Sequence, residues 1–205
     1  MLQILSHFPL FTIFIIFIVW SSYEMHKSTR NDRKNQDDFW NREQTSNNVR
    51  RKRIDDSEYI TIPDSILNIN SSNEDVIKHL ASLRELKNKK ILNLTGKTST
   101  DIKELYGPAN LNYVTECDDN FTSMCQVLSS LGTLLKEEGD LAQAAKVLEF
   151  AVNSKSDISG TYLALADIYL STGNSEKIKD LISTASLLDS LMKDSIIKNL
   201  TDLTS

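Results

Sequence analysis

The apolar positions of this chain follow three different rules. Leu10–Trp20 reads LFTIFIIFIVW, with Thr12 the one polar residue, and no polar face can be drawn on it. Residues 24–56 are rich in Asn, Asp, Arg, Lys, Gln and Ser and show no apolar period apart from Phe39-Trp40. From Ser72 onward the apolar residues recur at three-to-four spacing, the signature of amphipathic helices. Val76, Leu80, Leu83 and Leu86 mark one face of a helix over 72–90, with Ser72 and Asp75 as its capping box. Tyr59-Ile60-Thr61-Ile62-Pro63 reads as a short extended segment lying against the helical body. Thr100-Asp101 starts a short helix through Leu105, stopped by Gly107-Pro108.

The uncharged stretch Leu2–Ser22 has 21 residues. As a helix it would be about 30 Å long, the thickness of a hydrocarbon core. A cleaved signal peptide would carry a basic n-region, and this one has no Lys or Arg, although Val19-Trp20-Ser21 is a passable exit. A retained single span therefore fits best, with Trp20 and Tyr23 at its interface. Lys27, Arg30, Arg33 and Lys34 follow the span and no basic residue precedes it, which places the C-terminal bulk in the cytoplasm. Residues 23–56 then form a disordered, charged tether, flexible or partly helical, whose run Arg50-Arg51-Lys52-Arg53 can touch anionic lipid or simply stay solvated.

A self-similarity of 34 residues begins near Phe121. Leu128, Leu131, Gly132, Leu135 and Gly139-Asp140 recur as Tyr162, Leu165, Ala166, Tyr169 and Gly173-Asn174; Ala144, Leu148 and Ala151 recur as Ile178, Ile182 and Ala185. Small residues at these positions let antiparallel helices approach closely. Gly139 and Gly173 end a helix, and Asp140 and Asn174 cap the next. Helices are expected near 121–137, 141–153, 158–171 and 175–188, with an amphipathic capping helix near 191–203. These residues resemble the tetratricopeptide-repeat (TPR) family, with departures: Leu128 replaces an aromatic, Leu148 and Ile182 replace Phe, and Ser156 and Ser190 replace the closing Pro. The charged tether, the Tyr-Ile-Thr-Ile-Pro segment, Ile-Leu-Asn-Leu-Thr-Gly and the repeat pair together resemble single-span membrane proteins of low-GC Gram-positive bacteria, a likeness that carries no activity.

The expected architecture is all-α. An N-terminal transmembrane helix (1–22) leads through the tether (23–56) and a linker and packing-helix region (57–118) to a TPR-like antiparallel helix stack (119–205). The TPR resemblance implies a peptide-binding concave face on the first helix of each repeat. By position that face is Gln126, Ser129, Thr133 and Lys136, then Leu163, Asp167 and Leu170. The Lys and Asn of a carboxylate clamp are missing from these positions. The partner implied is an unidentified protein or peptide.

Composition adds exclusions. Few breakers, six Gly and three Pro, suit a helical chain, and a net charge of −5 argues against general nucleic-acid binding. Residues 23–56 hold nine basic and seven acidic residues, so the acidity lies in the body that follows. Cys117 and Cys125 are eight apart and distant from all three histidines, so no metal motif forms, and two reduced thiols are expected. Gly96-Lys97-Thr98 lacks the P-loop glycine five residues earlier, where Ile91 stands. No serine lies in a Gly-x-Ser-x-Gly turn. The Asn-x-Ser/Thr triplets at Asn93, Asn120 and Asn199 matter only for a lumenal domain. The reading is a membrane-anchored adaptor or scaffold that is not an enzyme and takes no cofactor. An exported binding protein and an enzyme with a cryptic site are the alternatives.

Overall fold

The computed structural model describes residues 9–203 as two units, one ending at Val49 and one beginning at Arg50. No strand forms among the described residues.

Among the described residues the first unit is a single helix, α1, Pro9–Asn47. No Gly or Pro falls between Leu10 and Ile62, so nothing in the sequence breaks it. Its C-terminal turn is closed by side chains, Thr45 Oγ1 donating to the Asn41 carbonyl and Asn48 Nδ2 to that of Gln44. This revises the expected tether, because helix runs through residues 23–47. The expected transmembrane helix is revised as well: among the described residues no helix is long and apolar enough to cross a membrane. The physical reason is the brevity of the greasy run, since Ser21-Ser22, Glu24, His26 and Lys27 follow Trp20 within seven residues. Residues 1–8 of the expected span lie outside the described residues.

The second unit holds eight helices among the described residues: α2 Asp64–Leu67, α3 Glu74–Lys87, α4 Ser99–Tyr106, α5 Leu111–Glu137, α6 Leu141–Asn153, α7 Ser159–Ser171, α8 Lys177–Ser186 and α9 Lys193–Asp202. α5 packs on α6 and α3, α6 on α7, α7 on α8 and on α5, and α9 on α8 and α7. One large apolar cluster runs through all of these, and includes Val76, Leu80, Leu83, Leu128, Leu131, Leu148, Leu165, Ile178 and Leu200. A smaller cluster of Ile54, Leu92, Leu94, Ile102, Tyr106, Val114 and Cys117 lies around α4 and the first turns of α5.

The turns explain the helix ends. Gly139 and Gly173, 34 residues apart, have φ of +84° and +74°, and each follows the end of a helix as the left-handed residue there requires. Asp140 accepts from the Gln143 amide at 3.1 Å and caps α6. Asn174 does not cap α8 with its side chain; its amide donates to Thr172 Oγ1 at 3.0 Å, and α8 starts later than expected, at Lys177. The cap of α3 also moves, from Ser72 to Asn73, whose Oδ1 accepts from the Asp75 amide at 2.9 Å. Thr98 and Asp101 form a full capping box on α4. The largest difference is the start of α5, ten residues before the expected Phe121. Val114, Cys117, Phe121 and Met124 carry the apolar face back through those turns, and all four are buried.

The segment 50–62 is held in place rather than loose. The Lys52 amide donates to the Tyr106 carbonyl at 3.0 Å and the Ile60 amide to that of Ile91 at 2.9 Å. Ile54 and Ile62 are buried.

Candidate functional site

All seven residues expected to bind a partner lie on α5 and α7 at exposed or half-exposed positions that leave them free of the core. Gln126, Thr133, Asp167 and Leu170 are exposed, and Ser129, Lys136 and Leu163 are half-buried. α5 and α7 are in contact, so the two rows are neighbours. The structure joins one member of each row: Lys136 Nζ lies 2.7 Å from Asp167 Oδ2. Thr133 Oγ1 bonds back to the Ser129 carbonyl at 2.9 Å, which partly occupies both residues. What remains for a partner is an amide at Gln126, an apolar contact at Leu163 and Leu170, and the rim of an ion pair.

The opposite aspect, between α6, α7 and α8, holds a cavity of about 230 Å³ lined by Glu149, Asn153, Tyr169, Lys177, Asp180 and Thr184 among others. In the sequence Tyr169 stands out only by its place 34 residues after Leu135. Its hydroxyl donates to Glu149 at 2.7 Å, and Lys177 lies 3.7 Å from the same carboxylate and 5.0 Å from the ring centroid. Burial and the Glu149 carboxylate both hold the Tyr169 hydroxyl in its neutral form by raising its pKa. Opposite charges meet within this cavity and satisfy each other, and no nucleophile is paired with a base.

Chemistry that the sequence left open elsewhere resolves into structural roles. Gly96 has φ +82°, and a Cβ there would lie 2.3 Å from the Asp189 carbonyl oxygen; its job is close packing against the turn before α9. Ser190 Oγ donates to Asp157 at 2.6 Å, and Ser156 Oγ accepts from the Ile158 amide at 3.4 Å, so both serines tie down turns. Cys117 and Cys125 are free thiols and both are buried. Among the described residues no group of three or more His, Cys, Asp or Glu is placed to hold a metal ion.

Burial gives the second unit an alkaline limit. Cys125 is raised from 9.0 to about 12, chiefly by desolvation, and Tyr162, whose hydroxyl donates to the Ser156 carbonyl at 2.9 Å, is raised from 10.0 to about 12 by desolvation and the Asp157 charge. Both groups are neutral when protonated, so folding favours the protonated forms. Their stabilisation is complete below their unfolded values and is lost as pH rises from about 9 toward 12. The urea midpoint should therefore fall over that window. In Cys125→Ala the fall just above pH 9 should be shallower, because the buried Cys117, also raised by desolvation, is then the remaining thiol. A midpoint as steady above pH 9 as below it would contradict this account.

No family model, curated protein or solved structure matches the chain.

Proposed function

We propose that this chain is a membrane-associated protein–protein interaction module, an adaptor or scaffold with no catalytic activity of its own, built on a TPR-like helix stack. The observation that carries the reading is the Lys136–Asp167 pair, because it bridges the first helices of the two 34-residue units and makes their outward rows one surface. The repeat register is supported by the positive-φ glycines at 139 and 173 and by the tight approach of Gly132 to Leu148. The proposed partner is a protein or peptide bound on Gln126, Ser129, Thr133, Lys136, Leu163, Asp167 and Leu170. No nucleic acid and no cofactor enter this proposal.

Membrane association rests on the N-terminal run. Phe11, Ile13, Phe14, Ile16, Phe17, Val19 and Trp20 are exposed all around α1. A helix that is greasy on every side needs an apolar environment. The basic residues that follow favour a body on the cytoplasmic side. Protease added to intact cells should leave the body whole; its degradation from outside would instead favour export.

Asp167→Arg replaces the ion pair by two like charges on an exposed face. It should change unfolding free energy by less than about 1 kcal/mol, since exposed pairs contribute little. It should nevertheless abolish crosslinking to the bound protein, as should Leu163→Glu. Unchanged crosslinks in both variants, with both folded, would remove this face from the proposal.

A further inference from the structure

We propose that the groove formed by Arg51, Lys52, Arg53, Tyr59, Asn110 and Tyr113 is a binding site for a phosphate group, either the headgroup of an anionic lipid or a free phosphate ester. This site is separate from the α5–α7 face and stands whether or not that face binds a partner.

The groove encloses about 440 Å³, within the range of small-ligand sites. Its basic side is fixed to the body through the chain itself. The Lys52 amide bonds the Tyr106 carbonyl, Asn110 Nδ2 donates to the Lys52 carbonyl at 2.7 Å, and Ile54 is buried in the smaller apolar cluster. Three consecutive cations are thereby held at defined places in a body whose net charge is negative. Ordering them costs no further backbone entropy when a ligand arrives, which is what preorganisation contributes to affinity.

Arg51 is the central feature. Its Nε donates to Asn110 Oδ1 at 2.7 Å. Asn110 is 3% exposed, and its amide nitrogen is already shared between Lys52 and Tyr106 carbonyls. The buried amide therefore fixes the guanidinium plane, while the two Nη groups have no partner among the described residues. A fork held this way presents parallel N–H donors to a tetrahedral oxyanion. Arg53 is almost fully exposed and has only a loose contact, 4.0 Å, with Asp56. Lys52 Nζ is committed to the Glu104 carbonyl and adds charge at longer range. The hydroxyls of Tyr59 and Tyr113 meet at 3.2 Å on the other wall.

The acids near the groove are largely engaged. Glu58 accepts from the Tyr106 hydroxyl at 2.7 Å and from the Asp55 amide at 3.1 Å. Asp56 is shared with Lys90 at 3.7 Å. A carboxylate ligand would bring one charge and two oxygens to three cations. A phosphate monoester brings up to two charges and three oxygens, and matches the donor set better.

The test uses the full chain, with isothermal titration of inorganic phosphate and of glycerol 3-phosphate, and flotation with vesicles of phosphatidylcholine alone or mixed with phosphatidic acid. Arg51→Gln and Arg53→Gln should each weaken binding about tenfold or more, as loss of a charge-assisted contact does. Arg51→Lys should not restore it, because the fork and not the charge alone is used. Because Arg53 is so exposed, Arg53→Gln keeps the test valid even if Arg51→Gln unfolds. Saturable binding of the soluble phosphates, lost in the variants, assigns a free ester. A preference for phosphatidic acid vesicles without soluble binding, lost in the variants, assigns a lipid headgroup. Absence of both, or affinities unchanged by the arginine substitutions, overturns the proposal.

Discussion

Gly132→Ala is expected to lower the unfolding free energy by about 1–3 kcal/mol, although alanine is the better helix former. Two effects of opposite sign compete at this position. In the interior of α5 the replacement should gain roughly 0.8–1 kcal/mol of helix propensity. Against that, a Cβ at Gly132 would lie 2.4 Å from Leu148 Cδ2 and 2.5 Å from its Cγ. Leu148 is fully buried in the α5–α6 interface, so its side chain has nowhere to go. The helices must separate or the leucine must leave its rotamer, and each costs more than propensity returns. Gly132→Leu, with three more carbons to place, should cost more still.

Gly160 supplies the control. It lies in the first turn of α7, and a Cβ there would meet nothing within 4 Å. Gly160→Ala should be neutral or stabilise by up to about 1 kcal/mol. A double-mutant cycle completes the argument. Leu148→Val is destabilising alone, yet with Gly132→Ala it should recover part of the loss, giving a favourable coupling. Urea denaturation measures all four proteins. An additive cycle, or a stabilised Gly132→Ala, would mean that the two helices do not meet at this point.

Much of this packing could be read from the chain. Small residues at 132, 144 and 151 and glycines 34 residues apart report directly on close approach and on left-handed turns, so the ends of α5, α6 and α7 fall within about one residue of expectation. The misses have a common cause in nonlocal contacts. Ile54 stands alone among charges, and no local pattern says that it is buried or that the Lys52 backbone bonds Tyr106 fifty-four residues away. The early turns of α5 were hidden by Asn112, Thr115 and Asp118-Asp119, which are weak helix formers that still leave Val114 and Cys117 on the buried face. Asn174 had the residue type of a cap but turned its amide back on Thr172, an arrangement equally available to an asparagine in a turn. Lys136 and Asp167 were legible only as members of the two rows and not as a pair, and the Arg51–Asn110 contact spans 59 positions and has no sequence period behind it.

Leu83→Ala should destabilise the whole second unit by about 2–5 kcal/mol, in one transition. Two 34-residue units are fewer than a stack of this kind needs to bury its own apolar faces. α3 supplies the missing surface. Val76, Leu80, Leu83 and Leu86 form its buried stripe, Leu83 is fully buried, and the helix packs along α5, the element shared with α6 and α7. A cavity at Leu83 thus opens beside the central helix rather than at a frayed edge, and closing it would require α3 to shift against the three other buried residues of the same stripe. Ile77, on the solvent side of the same helix and 48% exposed, should tolerate alanine with a change within about 0.5 kcal/mol. The denaturant slope should stay constant in Leu83→Ala while the midpoint falls, because the same surface is exposed on unfolding. Loss of α3 in a separate early transition, with α5–α9 melting unchanged, would show that the repeats carry their own core and that α3 merely leans on them.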